Sequence, residues 1–235
     1  MTESSPQRIG AQEQFGHQAR FYTESLVHSS GESLQVVRDW AARGRYHLAA
    51  DVGTGTGFTA FAVAPYSDQV LATDITPAML RETRSLVDQR GLANLSYVLA
   101  AAEELPFANG SLDLVTCRTA AHHFLDIPRA MAEWHRVLRP EAVLLLADTS
   151  SPEESEMAAW MNDVELRRDP SHGRDLPPSE WLNLLEANGF LITDTALTPV
   201  PMELEEWMRR SGTPAPVAEG LRRDFLNAPA GAVQA

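Results

Sequence analysis

Three groups of residues have types and spacings that could do chemistry. The first is Asp51, Gly53, Gly55 and Gly57, with Thr54 between them, in the run LAADVGTGTGF at 48–58. Glycine tolerates positive φ and lets a ligand reach the backbone. A helix opening in the next residues would turn its free N–H groups to the same spot. Together these make a nucleotide-type binding corner. The second is Asp74, which ends the run VLATD 23 residues after Asp51. An ionised carboxylate there can accept hydrogen bonds from both hydroxyls of a ribose. The third is a set of histidines, His122 and His123 in CRTAAHHFLD and His172 in RRDPSHGRD. A histidine can take a proton from a hydroxyl or an amine near neutral pH.

These residues need elements to hold them. The apolar run before Asp51 reads as a buried strand, and Val70–Asp74, Ser96–Ala100, Leu112–Cys117, the AVLLLAD run at 142–148 and Leu191–Leu197 read as five more. Helical spacing places Phe15, Ala19, Tyr22 and Leu26 on one face. Leu34, Val37, Trp40 and Ala41 share another, with Ser30 as N-cap. Further helices follow at Pro77, at Ile127–Leu138 capped by Asp126, after the capping box Ser151-Pro152-Glu153-Glu154, and at 204–210 and 216–226. Strands alternating with helices predict an α/β, doubly wound, mostly parallel sheet with helices on both faces. In such sheets ligands sit beyond the carboxyl ends of the strands, which puts Cys117, Arg118, His122 and His123 in the reaction zone. Simpler readings stand beside these. Tyr22 and Met79 are core at helical spacing, each histidine holds a backbone carbonyl, and Asp169, His172 and Arg174 bond to one another in a turn made by Pro170 and Gly173 rather than reading a polar substrate.

Composition narrows the partners. The formal net charge of −13 repels phosphate backbones, so no nucleic-acid partner is expected. MTESSPQR lacks the apolar core of a signal peptide, and no run is long enough to span a bilayer, so a cytoplasmic location without a membrane span is expected. The one cysteine excludes an internal disulfide, and no Cys/His cluster has zinc spacing, so no metal is expected. The position where a dinucleotide fingerprint needs its third glycine is Phe58, and no lysine follows as in a P-loop.

The acid-x-Gly-x-Gly-x-Gly run resembles motif I of the class I S-adenosylmethionine-dependent methyltransferases. Ala102-Glu103-Glu104-Leu105-Pro106-Phe107 resembles the AExLPF signature of the small-molecule group related to the ubiquinone/menaquinone-biosynthesis C-methyltransferases. The HHF segment and the RDPSH run, which leads to a helix bearing Glu180-Trp181 and ending in Gly189-Phe190, resemble the same group. The resemblance implies a Rossmann-like core at 46–150, an N-terminal helical lid at 1–45, a helical cap at 151–187, and a C-terminal strand and helices at 188–235. It implies S-adenosylmethionine as cofactor and S-adenosylhomocysteine as product. Asp51 would lie near the ammonium and sulfonium end, over the turn of Gly53, Thr54, Gly55 and Gly57. Asp74 would hold the ribose, Ile75 and Met79 would flank the adenine, and Ala102 and Glu103 would read it, since the aspartate usual in the family is Ala101 here. Tyr22 and Gln18 would reach in from the lid, and Cys117 and Arg118 would line the methionine end. The reaction implied is methyl transfer to an O, N or C nucleophile of a small molecule, with His122, His123 and His172 as candidate bases. Rival readings are a cofactor-binding protein of this fold that does not methylate, and a nicotinamide-dependent oxidoreductase. The family's final antiparallel strand, which inserts between the fifth and sixth, has no evident segment, and an open sheet edge would favour a homodimer.

Overall fold

The structure, a computed structural model, describes residue 10, residues 12–16 and residues 29–229. The expected Tyr22 and Gln18 contacts therefore lie outside the described residues. Among the described residues five strands form one sheet: β1 Tyr46–Val52, β2 Ser67–Asp74, β3 Leu95–Leu99, β4 Leu112–Arg118 and β5 Leu138–Ala147. Their order is β3-β2-β1-β4-β5, and every pairing is parallel. The chain order reverses at β1, between β2 and β4, which opens a crevice at the carboxyl ends of those strands. All seven residues of β4 are buried, as its central place between β1 and β5 requires.

Each face of the sheet has its own core. On one face α4, Ile127–Val137, packs Ala130, Met131, Trp134 and Val137 against Val52, Val115 and Cys117 of β1 and β4. Asp126 caps that helix by accepting from the Arg129 N–H at 2.9 Å. On the other face α1, Glu32–Ala41, and α2, Phe58–Val63, cover Ala49, Val70, Ala72 and Leu114. The helix α3, Pro77–Arg90, links β2 to β3 and buries Met79, Thr83 and Val87. After β5 come α5, Ser155–Arg168, and α6, Pro178–Ala187, then α7, Leu204–Arg210, and α8, Ala215–Leu226; α6 adds Trp181 to the core on the α4 face, while α5, α7 and α8 form a cover with a buried cluster of its own.

The observed structure differs from the expected one in three places. Gly31, not Ser30, stands at the N-cap of α1. The capping box at Ser151 does not start a helix. The side chain of Glu154 caps α5 by accepting from the N–H groups of Glu156 and Met157, while Glu153 turns away to accept from the N–H and hydroxyl of Ser179. The sixth strand is not formed: residues 190–203 are neither helix nor strand, and Leu191 and Leu197 are 88% and 85% exposed. A strand exists only with a partner, and among the described residues none lies along the outer edge of β5 where the final antiparallel strand would mediate the pairing. No helix among the described residues is long and apolar enough to cross a membrane.

Candidate functional site

One cavity opens over the carboxyl ends of β1, β2 and β4, with about 1350 Å³ of empty space including its mouth. Its inner end is the glycine turn after β1. The Thr54 N–H donates to the Thr73 carbonyl at 2.8 Å, and the Gly55 N–H donates to Asp74 Oδ2 at 2.9 Å, so β2 holds the turn in place. Asp74 Oδ1 accepts from the Thr76 N–H at 2.8 Å, which leaves each carboxylate oxygen one further lone pair at the cavity wall. A Cβ on Gly55 would meet no atom within 4 Å, and Gly55 lines the cavity with φ +54°. Open backbone beside a buried carboxylate with spare acceptor capacity fits a cationic ligand bearing a diol, as S-adenosylmethionine is. Burial pushes the Asp74 pKa up to about 6, against the pull of the Thr76 and Gly55 N–H groups.

Asp51 stands behind this turn rather than on the cavity wall. Its Oδ2 accepts from the Thr54 hydroxyl at 2.6 Å and its Oδ1 from the Thr116 hydroxyl at 2.7 Å. Burial raises its pKa to about 6, opposed by the two hydroxyls and by the Arg118 guanidinium. Arg118 lines the cavity and donates through Nε to the Thr59 hydroxyl at 3.0 Å. Gly53 also lines it, and a Cβ there would come within 2.6 Å of the Ala120 Cβ. Gly57 does not, for its missing side chain makes room for Thr83 and Phe61, which a Cβ would approach at 2.6 and 2.7 Å.

At the opposite end the structure brings His122, His123 and His172 together, with ring centroids 4.0 Å apart for the first pair and 5.7 Å for His122 and His172. The short helical turn Ala121–His123 carries two of them, and the loop between α5 and α6 brings the third. Their environments differ. His122 Nδ1 pairs with Asp148 Oδ1 at 2.6 Å, and its backbone N–H donates to Asp148 Oδ2 at 2.9 Å. Burial alone would make this ring neutral, but the Asp148 carboxylate prevails and raises its pKa to about 9, which holds Asp148 itself below the usual carboxylate range. His123 places Nδ1 3.0 Å from the Ser171 carbonyl. Burial and the His122 cation drive its pKa down to about 3, and the same two causes take His172 to about 4. The result is one imidazolium beside two neutral rings.

Most of the expected cofactor residues line this cavity: Gly53, Thr54, Gly55, Asp74, Ile75, Met79, Ala102, Glu103 and Arg118 do. Cys117 does not, because the strand's alternation turns its thiol into the core beneath α4. Glu103 accepts the Leu125 N–H at 3.0 Å. Asp169 and Arg174 also lie off the wall, the first closing its own turn on Ser171 and the second paired with Glu180. Of the RDPSH run, then, Arg168 and His172 face the cavity. Sequence reasoning missed Asp148, although it ends an apolar strand as Asp51 and Asp74 do, and that position was the signal available. It also missed Asn162 and Asp175, whose places follow from how the loop folds back and leave no mark in spacing.

The profile of the methyltransferase domain family matches residues 50–146. The uncharacterized methyltransferase YcgJ of Bacillus subtilis is 35% identical over 201 residues, covering 86% of this chain and 79% of that protein. The YcgJ crystal structure superposes with a TM-score of 0.81 at 33% identity, over 86% of each chain. The ubiquinone/menaquinone biosynthesis C-methyltransferase UbiE of Citrifermentans bemidjiense is 34% identical over 106 residues, which is 43% of this chain and 45% of that protein. A glycine turn held by a buried carboxylate, the parallel sheet behind it and this degree of likeness agree: the chain belongs to the methyltransferase domain family and is an S-adenosylmethionine-dependent methyltransferase.

Proposed function

We propose that the cavity binds S-adenosylmethionine at the Gly55 and Asp74 end and methylates a small molecule held at the histidine end. The observation that carries this reading is the continuity of one cavity from Asp74 to His122, His123 and His172, so that a ligand at one end abuts a ligand at the other. When bound, the sulfonium supplies an activated methyl group. This chain's own residues align, screen and deprotonate. Asp74 takes the ribose hydroxyls on its spare lone pairs, Ile75 and Met79 flank the base, and Ala102 and Glu103 lie where its edge would fall. Asp51, set behind the turn, contributes negative charge and fixes Thr54. Holding two reactants in line is worth about 7–11 kcal/mol of barrier in favourable cases.

The cover supports the same reading. Phe15 lines the cavity with its ring 4.8 Å from that of His123, and Gln12 and Gln14 donate to the carbonyls of Ile75 and Ser211. The N-terminal segment thus bridges the cofactor end and the α7 cover. Val200, Met202 and Trp207 add an apolar outer wall suited to a largely apolar acceptor. A homodimer through the open edge of β5 stays part of this proposal, with light scattering as its measure.

Calorimetric titration with S-adenosylmethionine and S-adenosylhomocysteine tests the reading. Micromolar binding that Asp74→Ala removes, in a variant whose thermal unfolding shows it folded, is the expected result. Binding that survives Asp74→Ala would place the cofactor elsewhere. Binding with no S-adenosylhomocysteine formed from any acceptor would favour a protein of this fold that does not methylate.

A further inference from the structure

Asn162, on α5, fixes the chemistry of His172. Its Nδ2 donates to the carbonyls of Ala158 at 2.9 Å and Asp175 at 3.1 Å, while its Oδ1 accepts from the Asp175 N–H at 2.7 Å. Flipping the amide would set its NH2 against an N–H and its oxygen against two carbonyls, so the orientation is determined by its neighbours. Oδ1 can therefore only accept from His172 Nε2, 3.1 Å away, and that nitrogen must carry the proton. The other nitrogen, Nδ1, is left with its lone pair. It is buried, has no hydrogen-bond partner among the described residues, and belongs to a residue that lines the cavity. An unmade hydrogen bond at a buried acceptor is costly enough that a native site keeps one only where something else completes it.

We propose that His172 Nδ1, presented by Asn162, is the atom that receives the acceptor's proton, and that the acceptor presents a hydroxyl on a largely apolar body. This rests on the methyl-transfer reading above. As the acceptor oxygen forms its bond to the methyl carbon, the carbon–sulfur bond breaks and its electron pair stays on sulfur. The hydroxyl proton passes to Nδ1, and the imidazolium so formed returns it to water after product leaves. The surroundings select oxygen over an amine. The His122 imidazolium, 5.7 Å from the His172 ring, favours an oxygen gaining negative charge and opposes an ammonium. The acids that face this corner each have a partner: Asp148 has His122, Asp169 has Ser171 on Oδ1 and Arg168 at 3.9 Å from Oδ2, Asp175 has the Thr149 hydroxyl, and Glu165 has Arg168 and the Trp207 N–H. Trp207, Met202 and Phe15 supply the apolar wall. Asn162 is a positioning residue, and His172 the catalytic one.

The test reads nitrogen rather than turnover. Long-range proton–nitrogen NMR of the 15N-labelled full chain, saturated with S-adenosylhomocysteine, reports each histidine's tautomer, and His172→Gln identifies the His172 signals. The expected pattern at neutral pH is a neutral ring with Nε2 protonated and Nδ1 bare, and Asn162→Ala shifts it toward a mixture of tautomers. Phenol, which can donate an O–H, then moves the Nδ1 resonance, while anisole, the same ring with that proton replaced by methyl, does not. A protonated Nδ1, a cationic ring, or equal or absent responses to the two probes overturns the proposal. Failure to bind S-adenosylhomocysteine in the parallel titration would instead count against the methyl-transfer reading, with the tautomer still readable in the free chain. If Asn162→Ala fails to fold, the wild-type tautomer and the probe pair still decide.

Discussion

Replacing Asp51 by asparagine should make the protein more stable and a poorer binder. Asp51 is fully buried, and burial raises its pKa from 3.8 to about 6 despite hydrogen bonds from Thr54 and Thr116 and the nearby Arg118. An acid whose pKa is higher in the fold than in the unfolded chain holds its proton more tightly when folded. Its contribution is therefore fully present below the unfolded value near 3.8 and is lost as the pH rises through about 6. At neutral pH the ionised form costs about 3 kcal/mol, taking about 1.4 kcal/mol for each tenfold. Asparagine keeps the shape and removes the charge, and each threonine hydroxyl can rotate to donate or accept. For the cofactor-free chain, the urea midpoint should rise in Asp51→Asn at about pH 7.5, with the gain falling to about half at pH 5 as wild-type Asp51 regains its proton. Affinity for S-adenosylmethionine should drop at the same time, because a cation would lose a neighbouring negative charge. A variant that is less stable than wild type by the same amount at both pH values would refute the reasoning, since the two hydroxyl bonds, not the charge, would then set the energy of this position.

Three further outcomes follow from the same end of the cavity. Gly55→Ala places a Cβ where no atom lies within 4 Å, so by thermal melting it should cost only the strain of φ +54°, about 1–2 kcal/mol, while calorimetry shows cofactor binding abolished. Gly53→Ala adds a 2.6 Å contact with Ala120 to φ +67° and should cost about 3 kcal/mol or more. Cofactor affinity should fall at least tenfold per pH unit below pH 6 as Asp74 takes up a proton, and Asp74→Asn should make that profile shallower in calorimetry, leaving the part that Asp51 contributes.

The parallel sheet and the cofactor end were legible because they rest on local chemistry. An apolar run that ends in an acid and passes into alternating glycines has few other ways to fold, and β1, β2 and β4 follow from it. What the sequence could not supply depends on distant partners. Leu191–Leu197 has the composition of a strand, yet it needs a neighbour on the far side of β5 to become one. Cys117 and Gly57 occupy the expected positions, but strand alternation and helix packing turn them away from the cavity. The histidines were legible as residue types, whereas their division into one cation and two neutral rings came from Asp148 beside His122 and from the burial of the other two rings, neither of which is marked by periodicity.

The segment between α6 and α7 joins the sheet to part of its cover without making a helix or a strand, and its leucines are open to water. Of the connections between those two parts, the covalent one therefore adds no buried packing at these leucines. The others are dispersed: Arg167 to Asp224 at 2.6 Å, the Thr213 hydroxyl to the Arg168 carbonyl at 3.1 Å, Arg168 to Ser211, and a buried cluster of Val164, Trp207, Met208 and Leu221. A nick in this strap would leave two fragments still clamped together, with Trp207 and Arg210 still walling the cavity. The chain's path and the molecule's mechanical integrity part company here, so that the C-terminal helices are held as a second subunit would be, by surface complementarity rather than by the peptide that made them.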